Sequence, residues 1–176
     1  MFSLARLAQV LGGALTALVL LSVACGDDDD VSISGSASVS ASGEPPAAGV
    51  VEVKPASAAQ VDVILQEWAV RPQQTSVRAG QVYFLVDNQG PEDPHELVII
   101  QSDLAPDKLP LEKDKVPENK VKIIGEIEPF APKSKAGKTF NLPAGKYVLI
   151  CNITEVEDGK VESHYKLGMR AAFTVQ

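Results

Sequence analysis

Four side chains able to hold a soft metal stand in order along this chain: His95, Cys151, His164 and Met169. Two imidazoles, one thiol and one thioether are the donor set of a mononuclear copper site of the blue type. The thiolate and imidazoles form a trigonal plane that serves Cu(I) and Cu(II) alike, and a weak axial thioether adjusts the potential. Three of the four lie between Cys151 and Met169. There Gly168, before Met169, lets the short segment from His164 curl so that imidazole and sulfur face one ion. Each donor also has an ordinary reading: a histidine at a strand start is commonly structural or exposed, a lone cysteine is commonly core, and a methionine commonly fills space. What favours the metal is exhaustion. The chain has two histidines and, beyond its first 25 residues, one cysteine and one methionine, and all four fall in the required order. Zinc accepts Cys with two His but does not usually recruit Met. A binuclear copper centre would need a second bridging Cys near the first, and no Ser-His-Asp set or Gly-rich phosphate loop can be assembled.

To meet, these donors must be carried to one end of a framework, and from Val61 onward the sequence has the texture of one. Short β-rich runs alternate with turn residues: Val61 to Leu65, Thr75 to Arg78, Val82 to Val86, His95 to Ile100, Val121 to Ile127, Lys138 to Leu142, Lys146 to Cys151 and Arg170 to Gln176. Seven or eight strands, turns at intervals of about ten residues and no long helical pattern predict an all-β, Greek-key β-sandwich or barrel. His95 opens a strand, Cys151 ends one, and His164 with Met169 occupy the connection to the last strand, so all four can reach the same pole. The segment Ser102 to Lys120, with Pro106, Pro110 and Pro117 among many charges, breaks the rhythm and reads as an irregular insertion with room for a short helix. Trp68 reads as core or edge packing. Tyr165 and Leu167, flanking His164, suit either an apolar contact patch or plain loop packing.

The N-terminus reads as export machinery. Arg6 supplies a positive start, residues 7–24 are apolar with small residues interleaved, and Leu21-Ser22-Val23-Ala24-Cys25 resembles the lipobox of bacterial lipoproteins, with Ser22 in place of the usual aliphatic residue. The expected organisation is therefore a signal peptide over 1–24, a lipidated Cys25 opening a flexible tether over 25–60, and one domain over 61–176. A plain signal peptide and an uncleaved span remain alternatives; all three place the domain outside the cytoplasm. Six of the 23 acidic residues precede residue 61, leaving 17 against 14 Lys and Arg, so much of the acidity belongs to the tether. No basic stripe invites nucleic acid. With Cys25 committed to lipid, Cys151 has no intramolecular disulfide partner, and an unpaired thiol in an oxidising compartment is either buried and inert or held by a metal.

The region from Val61 to Gln176 resembles the cupredoxin family of type 1 blue-copper proteins, the plastocyanin and azurin relatives. The resemblance rests on the order His95, Cys151, His164, Met169. It rests also on Ala79-Gly80 before a strand, Asn88-Gln89-Gly90 before the histidine, Leu142-Pro143-Ala144-Gly145-Lys146-Tyr147 leading into the cysteine strand, and a terminal Phe173-Thr174-Val175. It implies one copper ion held by those four residues and a one-electron carrier rather than an enzyme. It also implies a monomer serving redox partner proteins of the cell envelope. A copper store or chaperone and a metal-free interaction module on the same sandwich are the alternatives. Two departures stand out. The loop from Asn152 to Ser163 is longer than in compact members, leaving blue or green site geometry open. Glu96 follows the first histidine where an Asn that ties the ligand loops together would be expected.

Overall fold

The computed structural model describes residues 46–176. Its strands are β1 (Ala59–Gln66), β2 (Ala69–Pro72), β3 (Ser76–Val77), β4 (Gly80–Asn88), β5 (His95–Gln101), β6 (Lys122–Phe130), β7 (Lys135–Leu142), β8 (Gly145–Ile150), β9 (Thr154–Glu157), β10 (Lys160–Ser163) and β11 (Arg170–Val175). A one-turn helix, α1 (His164–Leu167), and two 3-10 turns, Pro106–Lys108 and Glu118–Lys120, complete it. Two mixed sheets, ordered β2-β1-β4-β7 and β3-β11-β8-β5-β6, face each other, and β9 with β10 forms a separate hairpin. The chain passes from one sheet to the other at β2–β3, β3–β4, β4–β5, β6–β7 and β7–β8. The result is the expected all-β sandwich, open rather than a closed barrel.

Alternation builds the core. Along β1, Val61, Val63 and Leu65 point inward between less buried neighbours, and they meet Val82, Phe84 and Val86 of β4, Leu97 and Ile99 of β5, Leu149 of β8 and Phe173 of β11. β5 and β8 depart from alternation because both of their faces are covered. Leu97, Ile99, Tyr147 and Leu149 belong to the main core, whereas Val98, Ile100, Val148 and Ile150 pack with Leu109, Val116 and Tyr165 in a second apolar layer. That layer is roofed by the insertion over residues 102–120, which forms the two 3-10 turns and an isolated bridge between Glu112 and Lys115. Burying Leu109 and Val116 there contributes roughly 1.5–3 kcal/mol each, which offsets the cost of ordering so irregular a segment.

Two features differ from the sequence expectation. The tether was expected to run to residue 60, but its last part joins the sandwich: Val51 bridges Gly137, Glu52 N–H donates to Gly137 O at 2.8 Å, and Gly137 N–H donates to Val50 O at 2.9 Å. The edge of β7 presents free backbone groups, and pairing them orders a segment whose Val50, Val51 and Val53 stay exposed. The other difference is the extra strands. β2, β9 and β10 bring the total to eleven among the described residues. The predicted lipidation site Cys25, the signal peptide and most of the tether lie outside the described residues.

Candidate metal centre

His95 is placed by the loop before it. Fully buried Asn88, at the end of β4, donates from Nδ2 to the carbonyls of Asp93 (3.0 Å) and Phe130 (3.3 Å) and accepts from Gly90 N–H (3.0 Å). This pins the turn over residues 89–94, so β5 starts with its first imidazole aimed into the pole. Cys151 follows the last residue of β8. The second imidazole arrives on α1, whose N-cap Ser163 accepts from Lys166 N–H. Gly168 closes the turn at φ 135°, a conformation that favours glycine, and Met169 N–H then donates to His164 O at 2.9 Å. Cys151 N–H donates to Met169 O at 3.1 Å, which sets Met169 beside the cysteine.

The sequence-predicted residues therefore converge. His95 Nδ1 and His164 Nδ1 are 3.2 Å apart, and Cys151 Sγ lies 3.3 Å from His164 Nδ1 and 4.0 Å from His95 Nδ1. All three, and Met169 with them, are fully buried. Imidazole and thiolate bonds of about 2.0–2.3 Å to one ion in a trigonal plane would separate the donors by about 3.5–3.8 Å. The observed triangle brackets that range, so the residues fit a metal ion. A thiol with two imidazoles, and a thioether beside them, suits a single type 1 copper.

Electrostatics agree with a site prepared for a neutralising cation. Burial, then the neighbouring His164, lowers His95 to about 4, so its imidazole is neutral at ordinary pH. Burial, then the charge of Glu96, pushes the Cys151 thiol well up, while backbone N–H groups of Glu96 and Ile153 donate to the sulfur and pull the other way. Metal binding must accordingly expel the thiol proton. Titrating the metal-free protein with Cu(I) in weak buffer near neutral pH is expected to release one proton per ion from Cys151 and none from His95. Apparent affinity should climb about tenfold per pH unit. Binding without proton release would mean that the thiol is not a ligand.

Glu96 supplies the tie between the ligand loops that an Asn would be expected to make. Its carboxylate accepts Asn152 N–H at 2.9 Å and so links the two ligand loops by a side-chain route, with burial raising the carboxyl to about 7. Asn152 itself is spent: its side chain accepts Val116 N–H (2.8 Å) and donates to Val116 O (2.9 Å), tying the cysteine loop to the insertion.

Several neighbours were not singled out as site residues. Glu155, from β9, lies 2.9 Å from His164 Nε2, and Glu67 lies 3.6 Å from His95 Nε2. A carboxylate beyond a ligand imidazole fixes its tautomer and orientation. Asp93 joins Glu155 and His164 in a tight group, and its carboxyl is raised by burial and by the charges of Glu155 and Glu67. Trp68 meets the His164 ring edge-on, with centroids 4.9 Å apart. The only sequence signals for these groups were the unusual length of the cysteine–histidine loop and the rarity of tryptophan. Tyr165, left open between contact patch and packing, is packing: it is buried and its hydroxyl bonds the insertion. Leu167 is exposed.

No family model and no curated protein matches this sequence. Among solved structures, a dithionite-reduced auracyanin from the photosynthetic bacterium Roseiflexus castenholzii is similar at 20% identity and a TM-score of 0.49, over 68% of this chain and 98% of the other. Auracyanin A, a "blue" copper protein from Chloroflexus aurantiacus, is similar at 19% identity and a TM-score of 0.45, over 66% and 98%. Reduced rusticyanin is similar at 16% identity and a TM-score of 0.47, over 70% and 82%.

Proposed function

We propose that this chain is an extracytoplasmic type 1 copper protein, anchored to the membrane through a lipid on Cys25, that carries single electrons between proteins of the cell envelope. The observation that supports it is the buried convergence of His95, Cys151 and His164 donor atoms within 4.8 Å of one another, with Met169 beside them. Copper bound there would supply a one-electron couple with a thiolate ligand that both oxidation states accept. The chain's own contribution is rigidity. Asn88 fixes the His95 loop, Glu96 ties that loop to the residue after Cys151, and the insertion braces α1, so the donors have little freedom to rearrange when the charge on the ion changes. Because the site is closed to solvent, it has no open place for a substrate, which favours a carrier over an enzyme. The same closure disfavours a copper store, which must surrender its ion.

A potentiometric titration of the copper-loaded protein should show one reversible one-electron step. Ready transfer of Cu(I) to a competing chelator, with sluggish electron exchange, would instead indicate storage. Fractionation of cells should place the wild-type chain with membranes and the Cys25→Ser chain in the soluble fraction; equal distribution of the two would remove the lipid anchor from the account.

A further inference from the structure

We propose that Trp68 is the side chain through which electrons enter and leave the metal centre, an inference that rests on the electron-carrier reading above. All four candidate ligands are fully buried, so no ligand edge is offered to a partner. The outer nitrogens of both imidazoles are faced by carboxylates, Glu155 at His164 and Glu67 at His95. What remains over both rings is one indole. Its centroid lies 4.9 Å from that of His164, at 62° between planes, and 6.5 Å from that of His95, at 70°. Trp68 packs on the edge of the main core yet is only half-buried, so it touches the imidazoles while still reaching solvent.

Its position is also built. Trp68 sits in the turn between β1 and β2, and a Cβ added to Gly168 would lie 2.8 Å from Trp68 O, so this turn is in close contact with the end of the ligand helix. The indole is thereby held against the helix that carries His164. Electronic coupling falls steeply with the gap between donor and acceptor orbitals, and faster across water than through packed atoms. A π-system in edge contact with both imidazoles and itself half-exposed therefore offers a packed route from the metal site to solvent. The step moves one electron from Cu(I) to an external one-electron acceptor, with no bond made or broken and no proton required. The carboxylates of Glu67, Asp93 and Glu155 surround the route, so a cationic acceptor meets a favourable field.

The test uses the full chain in detergent, loaded with copper, and a cationic cobalt(III) complex as oxidant, with stopped-flow detection at the thiolate-to-copper band. Trp68→Leu is expected to slow oxidation of the Cu(I) form by about tenfold, with the band and the potential unchanged, and Trp68→Phe to fall between it and the wild type. A Trp68→Leu rate equal to or above the wild type overturns the proposal. Should Trp68→Leu not hold copper, Trp68→Phe decides: a rate equal to the wild type overturns it as well. The emission of Trp68, the chain's single tryptophan, gives a readout independent of electron transfer to the oxidant. It should be strongly quenched by one equivalent of Cu(II), and unchanged emission would also refute the contact. Loss of the visible band from the wild type itself would overturn the copper reading instead, so the two failures are distinguishable.

Discussion

Replacing Cys151 with serine is expected to abolish the intense visible absorption of the copper-loaded protein and to weaken copper binding by well over the 10–100-fold typical of losing an outer partner of a metal site. The thiolate is the one soft anionic donor in the triangle and the origin of the sulfur-to-copper transition. A serine hydroxyl is a hard donor that does not ionise at ordinary pH, and at a fully buried position it exchanges a weakly polar thiol for a more polar group, costing up to about 1–3 kcal/mol. Competition with a chelator of known affinity measures the first effect and denaturant unfolding of the metal-free protein the second. Retention of the band would exclude Cys151 as the ligand.

Tyr165→Ala is expected to destabilise the fold by about 3–5 kcal/mol, the range for deleting a large aromatic side chain from a core. Tyr165 is buried in the second apolar layer, its hydroxyl donates to Pro106 O at 2.6 Å, and it accepts Leu109 N–H at 3.2 Å. It thus nails the insertion to the helix that carries His164. Ser163 reinforces the link by donating to Asp114 O at 2.6 Å, and Lys166 by pairing with Asp114 at 2.7 Å. Tyr165→Phe, which keeps the ring, should cost about 1–3 kcal/mol through the two backbone groups left unpaired. Denaturant midpoints compare the variants with the wild type. A change within about 0.5 kcal/mol for Tyr165→Ala, the scale of an ordinary surface substitution, would mean that the insertion does not brace the site.

These two residues show where the sequence was readable and where it was not. Cys151 was legible because composition alone isolates it: two histidines and, beyond the first 25 residues, one thioether and no second thiol leave few ways to assign the donors. β4, β5 and β8 were legible because continuous apolar runs between turn residues signal buried strands. The role of Tyr165 was not legible. Its partners are the backbone of Pro106 and Leu109, some 60 residues upstream, in a segment whose prolines and charges carry no periodic signal. The hairpin β9–β10 escaped for a related reason. Its strands Thr154–Glu157 and Lys160–Ser163 are short and mostly polar, and they exist because each pairs with the other and because Glu155 reaches His164. Residues 46–58 bury only Ala58 in the core while Val50, Val51 and Val53 stay exposed, and they order by completing the edge of β7, which local composition cannot report. Glu67 and Trp68 lie far in sequence from every ligand and come into play only when the sandwich closes.

The central claim, that His95, Cys151, His164 and Met169 hold one copper ion, is tested most directly by the visible and electron paramagnetic resonance spectra of the full chain after addition of one equivalent of Cu(II). The predicted result is an intense thiolate-to-copper absorption in the visible with the narrow copper hyperfine splitting of a trigonal thiolate site, both disappearing on one-electron reduction. A weak absorption with the wide splitting of a tetragonal nitrogen–oxygen site, or no bound copper, would contradict it.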